Sequence, residues 1–378
     1  MRRKLIPTGA ISCALLLAVT ACGGGGGGEE TPEVNAAAEG SVSAADAEAL
    51  GGEEAVTAMQ ELYEAAQTAG ETTVNVYGPG ENDKVALYEV FSQRFPGISV
   101  TGTYLVGPEF AAKVQAEFAS GQHVADMVQG GDTSVAPWLE EGKFVEFAPV
   151  TAEELDAGFQ DEGDFLTAAT GSTFGFVYNT NLMPEAEAPQ GWEDLTDPAY
   201  QGKMTAEPPT RNGGAFGTVS HLLWDGRYDE EYLRALAAQD IAFQASGPVA
   251  GAAVATGQYA LNPFYPYSFY LRDKEQGAPV AFVFPTEGGA HISPHYLGVL
   301  DGAPNPNAAK LLTTWLFTPE GQQAASDVGY YPLMPDSPAP EGYPSVNELD
   351  LLKPFPISEV AEISAENLAT AKRAFGAE

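Results

Sequence analysis

Cysteine, basic residues and long apolar runs are all scarce in this sequence. Its only two cysteines, Cys13 and Cys22, stand near the amino terminus, so neither a disulfide in the folded part nor a thiolate metal site is expected. Seventeen basic residues face 52 acidic ones, and the formal net charge of -35 gives a surface that repels nucleic acid and anionic lipid. No apolar run reaches the ~20 residues that a membrane-spanning helix needs. These shortages argue against a nucleic-acid-binding protein and against a membrane-spanning protein.

The common catalytic motifs are missing as well. Thr173 stands where the nucleophile of a Gly-x-Ser-x-Gly elbow would be, and the chain has neither a His-Glu-x-x-His zinc motif nor a phosphate-binding loop. Only four histidines occur, and we interpret each of them as a core or loop residue. We therefore predict a protein that is not an enzyme and that needs no cofactor. A lyase or hydrolase built on the same fold is the alternative.

The amino-terminal segment has the pattern of a secretory signal. Basic residues at positions 2–4 precede an apolar stretch at positions 10–19. Val19-Thr20-Ala21-Cys22 follows, and this sequence resembles the lipobox of bacterial lipoproteins, in which the cysteine is lipidated. We predict a signal peptide at 1–21, lipidation of Cys22, and a protein anchored by its lipid on the extracytoplasmic face of the cell membrane.

The remaining chain divides into a tether and two lobes. Residues 22–52 are rich in Gly, Ala, Glu and Ser with little to bury, which predicts a disordered tether. The 378 residues exceed the roughly 250–300 that one core organises. We assign 53–172 to lobe 1, 173–291 to lobe 2, and 292–378 to a return into lobe 1. Apolar strands at 173–178 and 292–300 are the predicted crossovers, with ordinary core strands as the alternative.

Strand and helix patterns alternate after the tether. Strands are predicted at 73–77, 98–104 and 125–128, with amphipathic helices between them, and short connections of this kind give right-handed crossovers in a parallel sheet. The predicted fold class is α/β. It has two lobes, each a mostly parallel sheet flanked by helices, and two crossover strands join them.

Candidate binding residues follow the predicted strands or open the predicted helices. Ligands of open α/β sheets bind at the carboxyl edge, where Gly-containing loops present free N-H groups and the positive end of a helix dipole. Arg211 lies in such a loop and suits bidentate binding of an oxyanion, although an ordinary exposed arginine is the alternative. The predicted ligand-binding residues are Tyr77, Gly78, Gly107, Gly131, Asp132, Tyr178, Arg211, Asn212, Gly213, Ser246, Tyr265 and Tyr267.

Four groups of residues together resemble a known family. They are Tyr-Asn-Thr-Asn at 178–181, the Trp-Glu-Asp-Leu-Thr-Asp-Pro run at 192–198 continuing to Gly202 and Lys203, Ala-Glu-Phe-Ala-Ser-Gly at 116–121, and Thr-Pro-Glu-Gly-Gln at 318–322 with Gly-Tyr-Tyr-Pro at 329–332. Their order resembles that of the extracellular solute-binding proteins of ATP-driven importers. The resemblance implies the type 2 periplasmic-binding-protein fold, a cleft that closes on a solute, and permease and ATPase subunits of an ABC transporter as partners.

The resemblance leaves the ligand open. The group of solute-binding proteins that this sequence most resembles includes binders of ferric ions, phosphonates, sugar phosphates and thiamine. Ferric-ion binders use two adjacent tyrosines, whereas Pro266 separates Tyr265 from Tyr267 here; with Glu287, these two tyrosines would form the metal site if iron were bound. We expect an organophosphonate or phosphate-type anion instead. Ferric iron is the first alternative, thiamine or a polyamine the next, and a surface protein without a ligand the last. We expect a monomer.

Overall fold

The structure, a computed structural model, describes residues 44–377. The predicted signal peptide, Cys22 and most of the predicted tether lie outside the described residues. The end of that tether was placed too late, because Leu50 is buried in the core and Asp46 of the first helix pairs with Arg94 at 3.1 Å. Order therefore begins before residue 53, the predicted start of lobe 1.

Helices and strands alternate along most of the described chain. The helices are α1 (Ala44–Ala49), α2 (Glu53–Ala69), α3 (Val85–Arg94), α4 (Gly107–Ser120), α5 (Asp132–Glu140), α6 (Gly214–Asp225), α7 (Glu230–Ala237), α8 (Gly247–Ala255), α9 (Tyr267–Glu275), α10 (Pro306–Leu316), α11 (Pro319–Asp327) and α12 (Val360–Phe375). The strands are β1 (Thr73–Gly78), β2 (Ser99–Tyr104), β3 (Met127–Gly130), β4 (Thr167–Asn179), β5 (Thr205–Ala206), β6 (Ala242–Phe243), β7 (Leu261–Pro266), β8 (Val280–Val283), β9 (Ile292–Val299) and β10 (Tyr331–Pro332).

The main sheet is mixed rather than mostly parallel. Its order is β10-β4-β9-β3-β1-β2, with β7 and β8 also paired to β4, and β5 and β6 form a separate parallel pair. Strand β1 runs parallel to β2 and β3, as predicted. The long strands β4 and β9 run antiparallel to all their partners.

Strand β4 belongs to two groups of strands. Its first half, Thr167 to Thr173, pairs with β9 and β10. Its second half, from Phe174 to Asn179, pairs with β7 and β8. The predicted crossover strand at 173–178 is thus the second half of one continuous 13-residue strand.

Buried hydrophobic residues form separate clusters on the two sides of β4. The first contains β1, β3, α2, α3 and α10, where Phe91 and Trp315 meet at 5.5 Å between ring centroids. The second lies around Trp192, which packs against Phe176 at 5.1 Å. A third, smaller cluster combines tyrosines of β7 and α9 with valines of β4, α8 and β8. More than one buried cluster is expected for a chain of this length, because a single core stops growing at roughly 250–300 residues.

The last helix contributes to both large clusters. Val360 and Ile363 of α12 join the first cluster, whereas Ala371 and Ala374 join the second. The sequence prediction assigns all of 292–378 to lobe 1. Strand β9 and helix α10 pack with the first cluster, whereas α12 also packs on α6 and α7. No helix among residues 44–377 combines the length and apolar character that crossing a bilayer requires.

Candidate functional site

Three of the predicted ligand-binding residues lie at the end of β1 and at the start of α4. The Tyr77 side chain is buried, and its hydroxyl donates to Glu117 Oε1 at 2.8 Å. Gly78 is needed for close approach, because a Cβ there would lie 2.1 Å from the backbone oxygen of Gln129. Gly107 is exposed and has a φ of 55°, a left-handed conformation that favours glycine. Only Gly107 of these three residues is exposed.

The loop after β3 leads into a buried polar group. Asp132 begins α5 directly after Gly131, and its Oδ2 lies 4.0 Å from Nε2 of His221 on α6. Burial raises the pKa of Asp132 and lowers that of His221, while the attraction between the two groups opposes both shifts. Asp132 therefore links α5 to α6, the helix that follows Arg211.

Two histidine rings lie next to each other beside Asp132. The ring centroids of His221 and His291 are 4.5 Å apart, and Phe355 covers His221 at 4.0 Å. Both imidazoles are buried, and burial holds the pKa of His291 well below its ordinary value. The histidines at 221, 291 and 295 are all buried, which agrees with their interpretation as core residues.

The predicted helix starts at 213 and 246 come together in the structure. Arg211, Asn212 and Gly213 are exposed, and Nη2 of Arg211 donates to the carbonyl oxygen of Ala245, directly before Ser246. The two loops therefore share one rim, formed by the starts of α6 and α8. Such starts carry backbone N-H groups without partners inside their helices.

Glu207 lies on the same rim and was not predicted. It follows β5, and its Oε1 accepts a hydrogen bond of 2.9 Å from the backbone N-H of Ala215 in the first turn of α6. A Cβ added at Gly213 would lie 2.8 Å from that oxygen, and one at Gly247 would lie 3.9 Å from the carboxyl carbon. The sequence does contain a signal for this position, since a carboxylate directly before Pro-Pro at the end of a short strand lies at a strand-to-loop junction.

The predicted tyrosines do not reach an open surface. Tyr265 is fully buried under α8, and its hydroxyl donates to Asp273 Oδ2 at 2.6 Å. Tyr267 packs in an aromatic group with Tyr270, Phe282 and Tyr343. Tyr178 on β4 is buried as well, with 4% of its surface exposed. These side chains fill the third hydrophobic cluster or the core beside it, because aromatic rings gain most by burial.

The tyrosine environment opposes the iron site that was the first alternative to an anion site. Burial and the Asp273 carboxylate raise the pKa of Tyr265 far above its ordinary value, so the phenolate that Fe3+ needs is disfavoured. Glu287 is exposed and pairs through its backbone with Gly191. Within residues 44–377, no group of three or more His, Cys, Asp or Glu side chains is arranged to hold a metal ion.

A buried polar network joins the end of β1 to β9. Nζ of Lys84 lies 2.6 Å from Glu81 Oε1, also contacts the side-chain oxygen of Gln129, and lies over the ring of Tyr330 at 5.1 Å. Glu81 and Lys84 are 1% and 2% exposed, so this ion pair is shielded from water. Sequence reasoning missed it, although Lys84 is the first basic residue after position 4.

His295 continues this network toward β4. Its Nε2 shares a hydrogen bond of 2.9 Å with the Ser172 hydroxyl, and its ring contacts Tyr330 at 5.2 Å between centroids. Burial, together with the positive charge of Lys84, lowers the pKa of His295 to about 3. The imidazole is thus neutral throughout the physiological pH range.

One cavity lies apart from the predicted ligand-binding residues. Its volume is ≈ 390 Å³, and it lies between the start of α2 and the segment that leads into β4. Its walls include Glu54, Glu153 and Asp164, together with Ala55 and Val150. None of the predicted ligand-binding residues lines it.

Three bacterial proteins are similar to this chain in sequence. A protein from Haemophilus influenzae described only as uncharacterized is 27% identical over 224 residues, which are 57% of this chain and 64% of that protein. A probable ABC transporter periplasmic-binding protein from Sinorhizobium fredii is 25% identical, over 70% of this chain and 75% of its own. A putative 2-aminoethylphosphonate-binding periplasmic protein from Salmonella typhimurium is 26% identical, over 51% of this chain and 61% of its own. The chain thus matches less than two thirds of the length of the first and third of these relatives.

Solved structures share the fold over most of the chain, and the family follows from a sequence profile. AfuA of Actinobacillus pleuropneumoniae, a periplasmic binding protein with fructose-6-phosphate bound, has a TM-score of 0.65 at 21% identity, covering 80% of this chain and 98% of its own. Iron-bound HitA of Pseudomonas aeruginosa has a TM-score of 0.65 at 20% identity, covering 80% and 99%. These similarities confirm the predicted fold class. The profile of the bacterial extracellular solute-binding proteins matches residues 86–349, and the chain belongs to that family.

Proposed function

We propose that this protein is the solute-binding component of an ABC importer and that it captures a small organophosphonate or phosphate-type anion between two lobes. The observation that carries the ligand class is the rim where the starts of α6 and α8 meet. There, the exposed Arg211 guanidinium lies beside two Gly-containing loops. A guanidinium and free backbone N-H groups are the donors that bind a phosphonate or phosphate group in a fixed orientation.

The relatives support this ligand class. The Salmonella typhimurium relative is described as a putative binder of 2-aminoethylphosphonate, and the AfuA structure contains fructose-6-phosphate. Both ligands carry a tetrahedral, doubly ionisable oxyanion. The strongly acidic composition does not oppose an anionic ligand, because a local cluster of donors determines the potential inside a cleft.

Ferric iron is the second candidate, since HitA of the same fold is iron-bound. The burial of Tyr265 and Tyr267 and the hydrogen bond from Tyr265 to Asp273 weigh against it. Ferric citrate added to the purified protein would produce a visible tyrosinate-to-iron absorption band if iron were the ligand. We expect the solution to show no such band.

The proposed mechanism is a population shift between open and closed forms. Residues 53–172 with 292–378 would form lobe 1 and residues 173–291 lobe 2, with β4 and β9 as the connections. A solute that touches both lobes stabilises the closed form by its differential affinity for that form. The permease and ATPase subunits of the importer would then receive the solute from the closed protein.

The proposed location follows from the amino-terminal sequence. Lipid on Cys22 would hold a monomeric protein at the extracytoplasmic face of the membrane, and more than one acyl chain is needed for stable anchoring. Cys22→Ser should move the protein from the membrane fraction to the soluble fraction of the producing cells. If the variant remained fully membrane-bound, the lipid-anchor proposal would be wrong.

Isothermal titration of the full chain tests the ligand class. We expect binding of 2-aminoethylphosphonate or a phosphate ester, and Arg211→Ala should raise the dissociation constant about tenfold or more, because charge-assisted hydrogen bonds are lost. Arg234→Ala is the matched control, since Arg234 is exposed and pairs with Glu230 on α7. Unchanged affinity in Arg211→Ala would remove the main support for an anionic ligand at this rim.

A further inference from the structure

The rim that carries Arg211 also carries a carboxylate. Glu207 Oε1 accepts a hydrogen bond from the Ala215 N-H, and the carboxylate lies close to Gly213 on one loop and near Gly247 on the other. The glycines make this approach possible, since a Cβ at Gly213 would lie 2.8 Å from Oε1. Glu207 therefore occupies the space between the two helix starts.

The charge of Glu207 has no basic partner nearby. Among the described residues, no Lys, Arg or His side chain lies within 4.0 Å of its carboxylate, whereas Arg211 uses a guanidinium nitrogen to hold the Ala245 carbonyl. The half-buried Glu230 differs in this respect, as it pairs with Arg373 at 2.9 Å. The rim thus presents one positive and one negative side chain, each with a backbone hydrogen-bond partner but neither with an ion-pair partner among the described residues.

A simple oxyanion and a zwitterion meet this rim differently. A phosphate or alkylphosphonate group beside Arg211 would be attracted by the guanidinium and repelled by the Glu207 carboxylate. A phosphonate that also carries an ammonium group would satisfy both charges, because its cation would bind Glu207 while its anion binds Arg211. Complementary charges of this kind determine specificity more than total affinity.

We propose that Glu207 is the residue that selects an amine-bearing, zwitterionic phosphonate over an anion without a cationic group. This inference rests on the proposed function and names the solute more closely. It assigns Arg211 to the phosphonate end and Glu207 to the ammonium end. Sugar phosphates, which carry hydroxyl groups in place of the ammonium, would bind more weakly than the zwitterion.

The test compares two ligands that differ only in charge at one end. The full chain is titrated at pH 7.5 with 2-aminoethylphosphonate and with propylphosphonate, which has a methyl group in place of the ammonium. We expect wild type to prefer the aminophosphonate by tenfold or more. Glu207→Gln should reduce that preference to threefold or less, and glutamine keeps the acceptor for the Ala215 N-H.

Glu231→Gln is the matched control. Glu231 is an exposed glutamate in the first turn of α7, so this variant makes the same change in net charge on the same lobe. We expect it to keep the wild-type preference. If Glu207→Gln fails to fold by circular dichroism, Glu207→Asp serves in its place, because the shorter carboxylate should still weaken the preference by several-fold.

The outcomes separate this inference from the proposed function. Equal affinity of wild type for the two phosphonates, tighter binding of fructose-6-phosphate than of the aminophosphonate, or an unchanged preference in both Glu207 variants would overturn the role of Glu207 while leaving anion binding intact. Binding of none of these ligands would overturn the proposed function and the inference together. Loss of the preference in the Glu207 variants, with retention in Glu231→Gln, would support the inference.

Discussion

Two charged regions of this protein differ in burial and in pairing. In the network at the end of β1, the charges of Lys84 and Glu81 are both buried and satisfy one another. At the rim of α6 and α8, Arg211 is exposed and Glu207 is only partly buried, without an ion-pair partner among the described residues. Charges that satisfy each other hold a fold in place, whereas charges left available on a surface can bind a solute.

The largest predicted effect concerns the buried pair. Lys84→Met should lower the free energy of unfolding by about 3–5 kcal/mol, because it leaves the Glu81 carboxylate buried without its cation. Urea denaturation at pH 7 measures this change. The double variant Lys84→Met with Glu81→Gln should recover part of the loss, and a loss below about 1 kcal/mol for the single variant would show that the pair is not structural.

The next effect is the pH dependence that His295 gives to the same region. Its depressed pKa means that the folded state binds fewer protons, so its contribution to stability is present above the unfolded pKa of about 6.5 and is lost as the pH falls toward about 3. Between pH 7.5 and 5.0 this loss amounts to about 2 kcal/mol. His295→Gln should flatten the curve of unfolding free energy against pH by that amount.

His221 and His291 act in the same direction and remain in that variant, because burial lowers the pKa of both. A residual decline in stability on acidification is therefore expected. If the pH curves of wild type and His295→Gln coincided, His295 would not be the buried neutral imidazole that the network requires.

The smallest expected effect belongs to the open rim. Arg211→Ala should change the free energy of unfolding by no more than about 0.5 kcal/mol, since exposed side chains contribute little to folding. The same variant should weaken ligand binding, so thermal melts with and without 2-aminoethylphosphonate would differ between wild type and variant only when ligand is present. If Arg211→Ala lowered the free energy of unfolding by several kcal/mol without ligand, the rim would be as structural as the Lys84–Glu81 network.

Local patterns in the sequence predicted much of the architecture. The alternation of strands and helices from Thr73 onward, the strand at 173–178 and the glycines that open helices all follow from short-range preferences, and these elements are present. The joining of the loops at Arg211 and Ser246 was not predictable in this way. It depends on how α6 and α8 pack, which is a contact between distant segments.

The aromatic run shows why the sequence alone could not place some of the predicted site residues. Tyr265 and Tyr267 have a composition that suits either a binding wall or a core, and the sequence does not say which face of β7 and α9 is covered. Asp273, eight residues further along the chain in α9, accepts a hydrogen bond from the Tyr265 hydroxyl and so offsets the cost of burying that polar group. Tyr343 then covers Tyr267 from a segment more than seventy residues away, a contact that no local pattern reveals.

The sharing of β4 between two groups of strands constrains how the protein could move. The hydrogen bonds on either side of Thr173 and Phe174 tie the same backbone to β9 in one direction and to β7 in the other, with an irregularity in register on each side. If the two groups of strands move relative to each other, the motion would require bending along the whole of β4 rather than rotation about a flexible loop. The hydrogen-exchange rate of the β4 amides near position 174 would then report how often the strand bends enough to open its hydrogen bonds.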